Sequence, residues 1–144
     1  MTPPTVGAMV AEVTRLLGGR IWRGSNESEI QEAMAPVLVH GLMNPAAGED
    51  LRVSVTREFW LTDADRVDFM LNVLGQPPEA RSRIALEVKV KGSTVEVARQ
   101  LQRYAQAPYV GAVILATTTP RLALALRGAT LGELPIFTIT LRRF

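Results

Sequence analysis

Apolar positions recur along the chain at two periods, and the changes between them divide it into helices and strands. Residues 5–17 place Val6, Met9, Val10, Val13, Leu16 and Leu17 at helical spacing, and Gly18-Gly19 ends the pattern. This predicts a helix packed on the core. Arg20-Ile21-Trp22-Arg23 reads as a link, with Trp22 closing a core edge rather than stacking a base between two arginines. A second helix starts at a Ser25 or Asn26 cap, carries acids in its first turn, and buries Ile30, Met34, Val37 and Leu38. Pro36 should kink or divide it. Asn44-Pro45-Ala46-Ala47-Gly48 is a loop.

From there the period falls to two. Residues 51–61 alternate Leu51, Val53 and Val55 against Arg52, Ser54 and Thr56. A turn at Thr62-Asp63-Ala64-Asp65 leads into residues 66–74, with Val67, Phe69, Leu71 and Val73 on one face and Asp68, Met70 and Asn72 on the other. Gly75-Gln76-Pro77-Pro78 turns the chain into residues 83–91, where Ile84, Leu86, Val88 and Val90 oppose Ala85, Glu87, Lys89 and Lys91. A helix capped by Ser93 or Thr94 runs to about Gln106, its inner side marked by Val97, Leu101 and Tyr104 or Ala105. Residues 110–116 are apolar throughout, as in a central strand covered on both faces. A short helix over 120–127, stopped by Gly128, precedes a last strand over 135–141 and a basic tail, Arg142-Arg143. The alternation of elements predicts one α/β domain over 1–144, with residues 1–24 as an N-terminal helix and link and 25–141 as the core.

Chemistry enters at three places. Side chains two apart on a strand share a face, so Glu87 and Lys89 stand side by side, about 7 Å apart at their roots. Asp68 sits in the middle of an apolar strand, where an unpaired carboxylate is costly. If the strands of Asp68 and Glu87 pair as an antiparallel hairpin with matched apolar faces, Asp68 joins Glu87 and Lys89. Two carboxylates on one poorly hydrated face repel, and a cation between them resolves that cost. On the second helix, Glu27 lies within about 60° of Ile30 and about 20° of Met34 at 100° per residue, whereas Glu29 and Glu32 turn outward. Gln100 and Tyr104, four apart, are neighbours on one helical face, as are Arg99 and Arg103.

Composition narrows the choices. The 144 residues contain no cysteine and one histidine, His40. That rules out disulfides and thiolate sites and leaves too few donors for zinc. The net charge of +2 is a weak pointer to nucleic acid, so local clusters of Arg and Lys matter more. No apolar run has membrane-spanning length and the start lacks a signal-peptide pattern, so a cytoplasmic protein without membrane contact is expected.

An acidic strand, Ile84-Ala85-Leu86-Glu87-Val88-Lys89 and then Gln100-Leu101-Gln102-Arg103-Tyr104 resemble the PD-(D/E)XK, or restriction-endonuclease-like, nuclease superfamily. The Gln-x-x-x-Tyr helix is similar to that of its RecB branch and of the nuclease domain of NucS mismatch endonucleases. Glu27 is similar to the helix glutamate of archaeal junction resolvases. Val67 stands where the family name has Pro, and a separate DNA-binding domain like that of NucS enzymes has no room here. The resemblance implies an α-β-β-β-α-β core and a DNA-cleaving, Mg²⁺-dependent enzyme, with Mn²⁺ as a substitute. Asp68, Glu87, the Val88 carbonyl and Glu27 would be metal ligands. Lys89 would position water or stabilise the phosphorane, Gln100 would orient the water or Lys89, and Tyr104 would brace the site. Lys91, Arg99 and Arg103 are candidate DNA contacts. A structure-selective endonuclease such as a resolvase would act as a homodimer. The alternative is a nucleic-acid-binding or assembly subunit on the same scaffold without turnover.

Overall fold

The computed structural model describes residues 4–43 and 53–143. The predicted loop at 44–48 and the first two residues of the 51–61 strand lie outside them. The described chain is a mixed α/β fold: a six-stranded sheet flanked by four helices. In chain order the elements are α1 (Pro4–Gly18), β1 (Ile21–Trp22), α2 (Glu27–Met43), β2 (Val53–Trp60), β3 (Arg66–Val73), β4 (Arg83–Lys89), α3 (Thr94–Ala105), β5 (Val110–Thr117), α4 (Pro120–Leu126), β6 (Thr130–Leu131), β7 (Leu134–Thr140) and β8 (Arg142–Arg143).

The large sheet has the order β2-β3-β4-β5-β7-β6. β2, β3 and β4 form an antiparallel meander, and β5 and β7 add parallel to β4. The parallel steps need crossovers, and α3 and α4 supply them. β5 is buried along its whole length, as its unbroken apolar run predicts. One face of the sheet carries Phe69, Leu71, Ile84, Leu86 and Ile114 against Val6, Met9, Val13 and Leu17 of α1 and Ile30, Met34 and Leu38 of α2. The other carries Met70, Ala85, Val113 and Leu115 against Val97, Leu101 and Tyr104 of α3 and Leu122 and Leu126 of α4. Helix α1 is therefore part of the main core rather than an appendage to it.

Local chemistry explains most boundaries. The Asn26 side chain accepts the Glu29 amide at 2.9 Å, which makes Asn26, not Ser25, the cap of α2. Ser93 accepts the Glu96 amide at 3.1 Å and caps α3. Gly111 sits where the β4–β5 register shifts between Arg83 and Ile84. A Cβ there would lie 1.9 Å from the Arg81 carbonyl oxygen, so only glycine fits.

Two expectations are corrected, and one element is new. Pro36 does not divide α2, which runs unbroken from Glu27 to Met43. Pro36 and Glu32, the residue whose carbonyl it leaves without an amide, are both exposed, and apolar anchors before and after it (Met34, Leu38, Leu42) are buried. The 20–23 link and the basic tail are not loose ends: β1 and β8 pair in parallel, Ile21 with Arg142 and Trp22 with Arg143. Finally, β6 forms a small antiparallel hairpin with β7 that periodicity does not show. Trp22 closes a core edge as expected, buried with its indole N–H on the Leu17 carbonyl at 2.9 Å.

Candidate active site at a forked strand pair

The antiparallel ladder between β3 and β4 bridges Asn72–Arg83, Leu71–Ile84, Met70–Ala85 and Phe69–Leu86, and then stops. β3 continues back to Arg66 alongside β2, and β4 continues to Lys89 alongside β5. The sheet thus forks between β3 and β4, and Asp68 and Glu87 face each other across the opening.

A fork leaves amides that regular pairing would have satisfied. Here the carboxylates take them. Val88 N–H donates to Asp68 Oδ2 at 2.8 Å, and Asp68 N–H donates to Glu87 Oε1 at 3.3 Å. Each acid therefore bonds the backbone of the opposite strand. The remaining acceptor sites of Glu87 are filled as well. Gln100 Nε2 donates to Oε2 at 2.9 Å, Lys89 Nζ stands 3.5 Å from the same oxygen, and Tyr104 Oη is 3.1 Å from Oε1. Gln100 gives its second amide hydrogen to Tyr104 Oη at 2.7 Å. The Tyr104 hydroxyl also reaches the Arg66 carbonyl at 3.0 Å, so one phenol bridges both arms of the fork. It has a single proton, which serves either Glu87 or Arg66 at one time.

Electrostatics follow from this geometry. Glu87 is buried to 3% exposure. Desolvation first, and the neighbouring Asp68 charge second, push its carboxyl up to about 8, despite Lys89, the Asp68 amide and Tyr104 pulling the other way. Asp68 is raised too, chiefly by burial, with the Val88 amide and Lys89 opposing and Glu27 adding to the rise. Tyr104 is raised by burial and by Glu87, so it stays a proton donor. Two acids that resist ionising together hold a proton between them when no cation is near.

Glu27, at the first position of α2, is half-buried, and its Oε1 accepts the Val90 amide at 3.2 Å. It therefore grips the chain just past β4. The same stretch is held from the β5 side, where Thr118 N–H bonds the Lys89 carbonyl and the Thr119 hydroxyl bonds the Val90 carbonyl. Glu27 is close enough to Asp68 to affect its charge, but among the described residues no three acids or histidines draw together as a metal-ligand group. The expected convergence of all three carboxylates is thus met by Asp68 and Glu87, with Glu27 turned to the backbone. Val88 contributes its amide to Asp68. Lys91 is exposed and lines a groove with Ser25, Asn26, Glu27, Ser28 and Val90. Arg99 is exposed on α3. Arg103 is exposed on α3, and its Nε pairs with Asp65 at 2.7 Å, tying α3 to the β2–β3 turn. His40 is exposed near the end of α2.

Sequence reasoning misses two further contacts. Asp65 reads only as a turn residue, and its partner is 38 residues away. The pairing of β1 with β8 sets the exposed Arg142 and Arg143 beside the 20–23 segment, and Arg143 donates to the Gly24 carbonyl at 2.9 Å. The signal available is the matched basic-apolar composition of the two segments, which is too short to be specific. No described helix is long and apolar enough to cross a membrane. Compared with protein-family models, curated proteins and solved structures, the chain matches none.

Proposed function

We propose that the fork is the active site of a divalent-metal-dependent DNA nuclease of the PD-(D/E)XK type, a structure-selective endonuclease that uses Mg²⁺ with Mn²⁺ as a substitute. The observation that carries this proposal is the pairing of Asp68 and Glu87 across the fork, with Lys89 on the Glu87 carboxylate and Gln100 and Tyr104 holding it from α3. The order α2-β2-β3-β4-α3-β5 supports it, because it repeats the core that the sequence motifs imply.

The donor set fits a hard cation. Asp68 and Glu87 offer only oxygen, and burial raises both acids, with the Asp68 charge adding to the rise of Glu87 and the Glu27 charge to that of Asp68, a penalty that a cation relieves. The Val88 carbonyl on β4 and Glu27 on α2, which holds the Val90 amide, are the further oxygens. When bound, the ion supplies Lewis-acid polarisation of the phosphate and of a water. The protein's own groups do the rest. Lys89 brings a fixed positive charge beside the carboxylates, where charge grows on the phosphate during attack. Gln100 fixes the Glu87 rotamer with one amide hydrogen and Tyr104 with the other. Tyr104, held protonated, keeps the two arms at a set separation. Lys91, Arg99 and Arg103, all exposed, are the cations assigned to backbone phosphates.

The test is a panel of supercoiled plasmid, single-stranded and branched DNA incubated with Mg²⁺, Mn²⁺ or EDTA. Cleavage dependent on the metal and lost in Lys89→Ala supports the proposal. Full cleavage by Lys89→Ala overturns the role given to that lysine.

One observation favours the second reading, a nucleic-acid-binding or assembly subunit without turnover. Glu27 is engaged by the Val90 amide, and no group of three acids forms among the described residues. DNA binding that is indifferent to metal, with no substrate of the panel cut, selects this reading.

A further inference from the structure

The chain has two tryptophans, and they are used in opposite ways. Trp22 is buried and its N–H is bonded, whereas Trp60 is 57% exposed at the end of edge strand β2. A large aromatic left in water loses the burial that normally places it in a fold. Trp60 pairs across the ladder with Arg66, whose guanidinium carbon lies 5.6 Å from the indole centroid. The fold contains a second arginine–aromatic stack for comparison. Arg83 lies 4.6 Å from the Tyr109 centroid and 5.6 Å from that of Phe59, and these two rings meet edge to face at 6.5 Å. That stack is closed by its own residues, all of them half-buried. Among the described residues the Trp60–Arg66 stack has no such second ring and remains open.

Its position relates it to the fork. The Arg66 carbonyl accepts the Tyr104 hydroxyl that also reaches Glu87, and Asp68 is two residues further along β3. The strand ends that carry the pair are held firmly. Leu61 N–H bonds the Asp65 carbonyl at 2.8 Å, the Thr62 hydroxyl accepts the Ala64 and Asp65 amides, and Asp65 is anchored to Arg103 on α3. A flat π surface with a cation on it, held rigidly beside a phosphodiester-cleaving centre, matches how proteins seat an unpaired base and its phosphate. A paired base in a duplex has no free face to offer.

We propose that Trp60 and Arg66 form a stacking platform for an unpaired nucleotide next to the scissile phosphate, so that the substrate class is DNA with a single-stranded segment. This rests on the nuclease proposal only for the word scissile; the platform itself is tested without cleavage. In EDTA, tryptophan fluorescence is followed as an oligothymidine or a blunt duplex of the same length is added. Binding is measured in parallel for wild type, Trp60→Phe and Trp60→Ala, with circular dichroism as the check that the variants fold.

The expected result is quenching by the single strand that disappears in Trp60→Phe. In Trp60→Ala the single-strand affinity should fall about tenfold or more, with duplex affinity unchanged and Trp60→Phe in between. Single-strand affinity unchanged in Trp60→Ala, or an equal loss for duplex, overturns the platform. So does a monomer–dimer equilibrium, followed by sedimentation, that shifts in Trp60→Ala with no oligonucleotide effect, which would assign the ring to a contact between copies. If oligothymidine quenches Trp60 but no DNA is ever cut, the platform stands and the nuclease proposal falls. If DNA is cut and the Trp60 variants bind and cut like wild type, the reverse holds.

Discussion

The two halves of the β3–β4 pair are built from the same kind of strand and do opposite things. In the closed half, Phe69 to Asn72 and Arg83 to Leu86 bond backbone to backbone, and their side chains fill both cores. In the open half the ladder is absent and Asp68 and Glu87 substitute for it, each accepting an amide from the other strand. The closed half is stabilised by area removed from water. The open half keeps its shape through the backbone amides that donate to the two acids and through the Tyr104 bridge, and it carries buried acids whose ionisation is unfavourable. The comparison shows why the acids can stand deep in a sheet at all: the fork that exposes them also supplies the donors that satisfy them.

Changes in each half should therefore separate stability from activity. The largest effect is expected from Glu87→Gln or Lys89→Ala. Metal-dependent cleavage should fall at least about a thousandfold, equivalent to about 4 kcal/mol, with the melting temperature not lowered. Activity assays paired with thermal unfolding check this, and a parallel loss of fold would erase the distinction. Phe69→Ala in the closed half should do the reverse. It should cost about 3–5 kcal/mol of stability in urea unfolding, while cleavage per folded molecule stays near wild type.

A third test uses pH. Glu87 has a folded pKa of about 8 against an ordinary 4.5. An acid raised on folding stabilises the fold fully below its unfolded value and loses that contribution as pH rises through the folded value. Metal-free protein should therefore lose stability between pH 4.5 and about 8, by something on the order of 2–4 kcal/mol. Glu87→Gln should flatten that slope, and Mg²⁺ should flatten it in wild type while changing the already flat profile of the variant little. A wild-type profile in EDTA that rises over this range would contradict the assigned burial penalty.

Smaller again is Tyr104→Phe, which removes the bridge between the arms. A loss of about 1–2 kcal/mol in unfolding and about tenfold in cleavage is expected, since the phenol acts through Glu87 rather than on substrate. The smallest effect should come from Lys91→Ala with Arg99→Ala. DNA affinity at low salt should drop modestly, and the slope of log affinity against log salt should lessen by about one for each phosphate no longer neutralised.

Much of this is legible in the sequence where a period can carry it. Glu87 and Lys89 share a face because strands alternate, and Gln100 and Tyr104 adjoin because helices repeat near four. On β3 the expected alternation holds for Phe69, Leu71 and Val73 but not for Val67, which packs into the opposite core with Met70, so Asp68 meets Glu87 across the fork rather than by simple alternation. The helical angle of Glu27 correctly turns it toward the protein, but an angle does not say which atom it meets, and it meets the Val90 amide. The fork is not legible, because strand pairing is inferred from patterns that continue through it. Nor is the Arg103–Asp65 ion pair, which depends on the packing of α3 over a distant turn. Pro36 misleads because local propensity counts one lost hydrogen bond, while the helix is held by buried residues on both sides. The two-residue strands β1 and β8 are too short to have a period at all.

The distances along the chain that these contacts span imply an order of assembly. The fork joins residues only 19 and 20 positions apart, within a meander of successive strands. The Glu27 contact with Val90 spans 63 positions, and the Arg143 contact with Gly24 spans 119. Short-range contacts close with the smaller entropy loss and form sooner. The Asp68–Glu87 pair is therefore expected to come together on the meander first, with Glu27 joining from α2 and the clasp between β1 and β8 closing last, an order that φ-value analysis of Tyr104→Phe and Arg143→Ala checks. Before that closure the acid pair is still hydrated and ionised; it takes up its proton only as the covering helices withdraw it from water, so folding near neutral pH without metal is coupled to proton uptake.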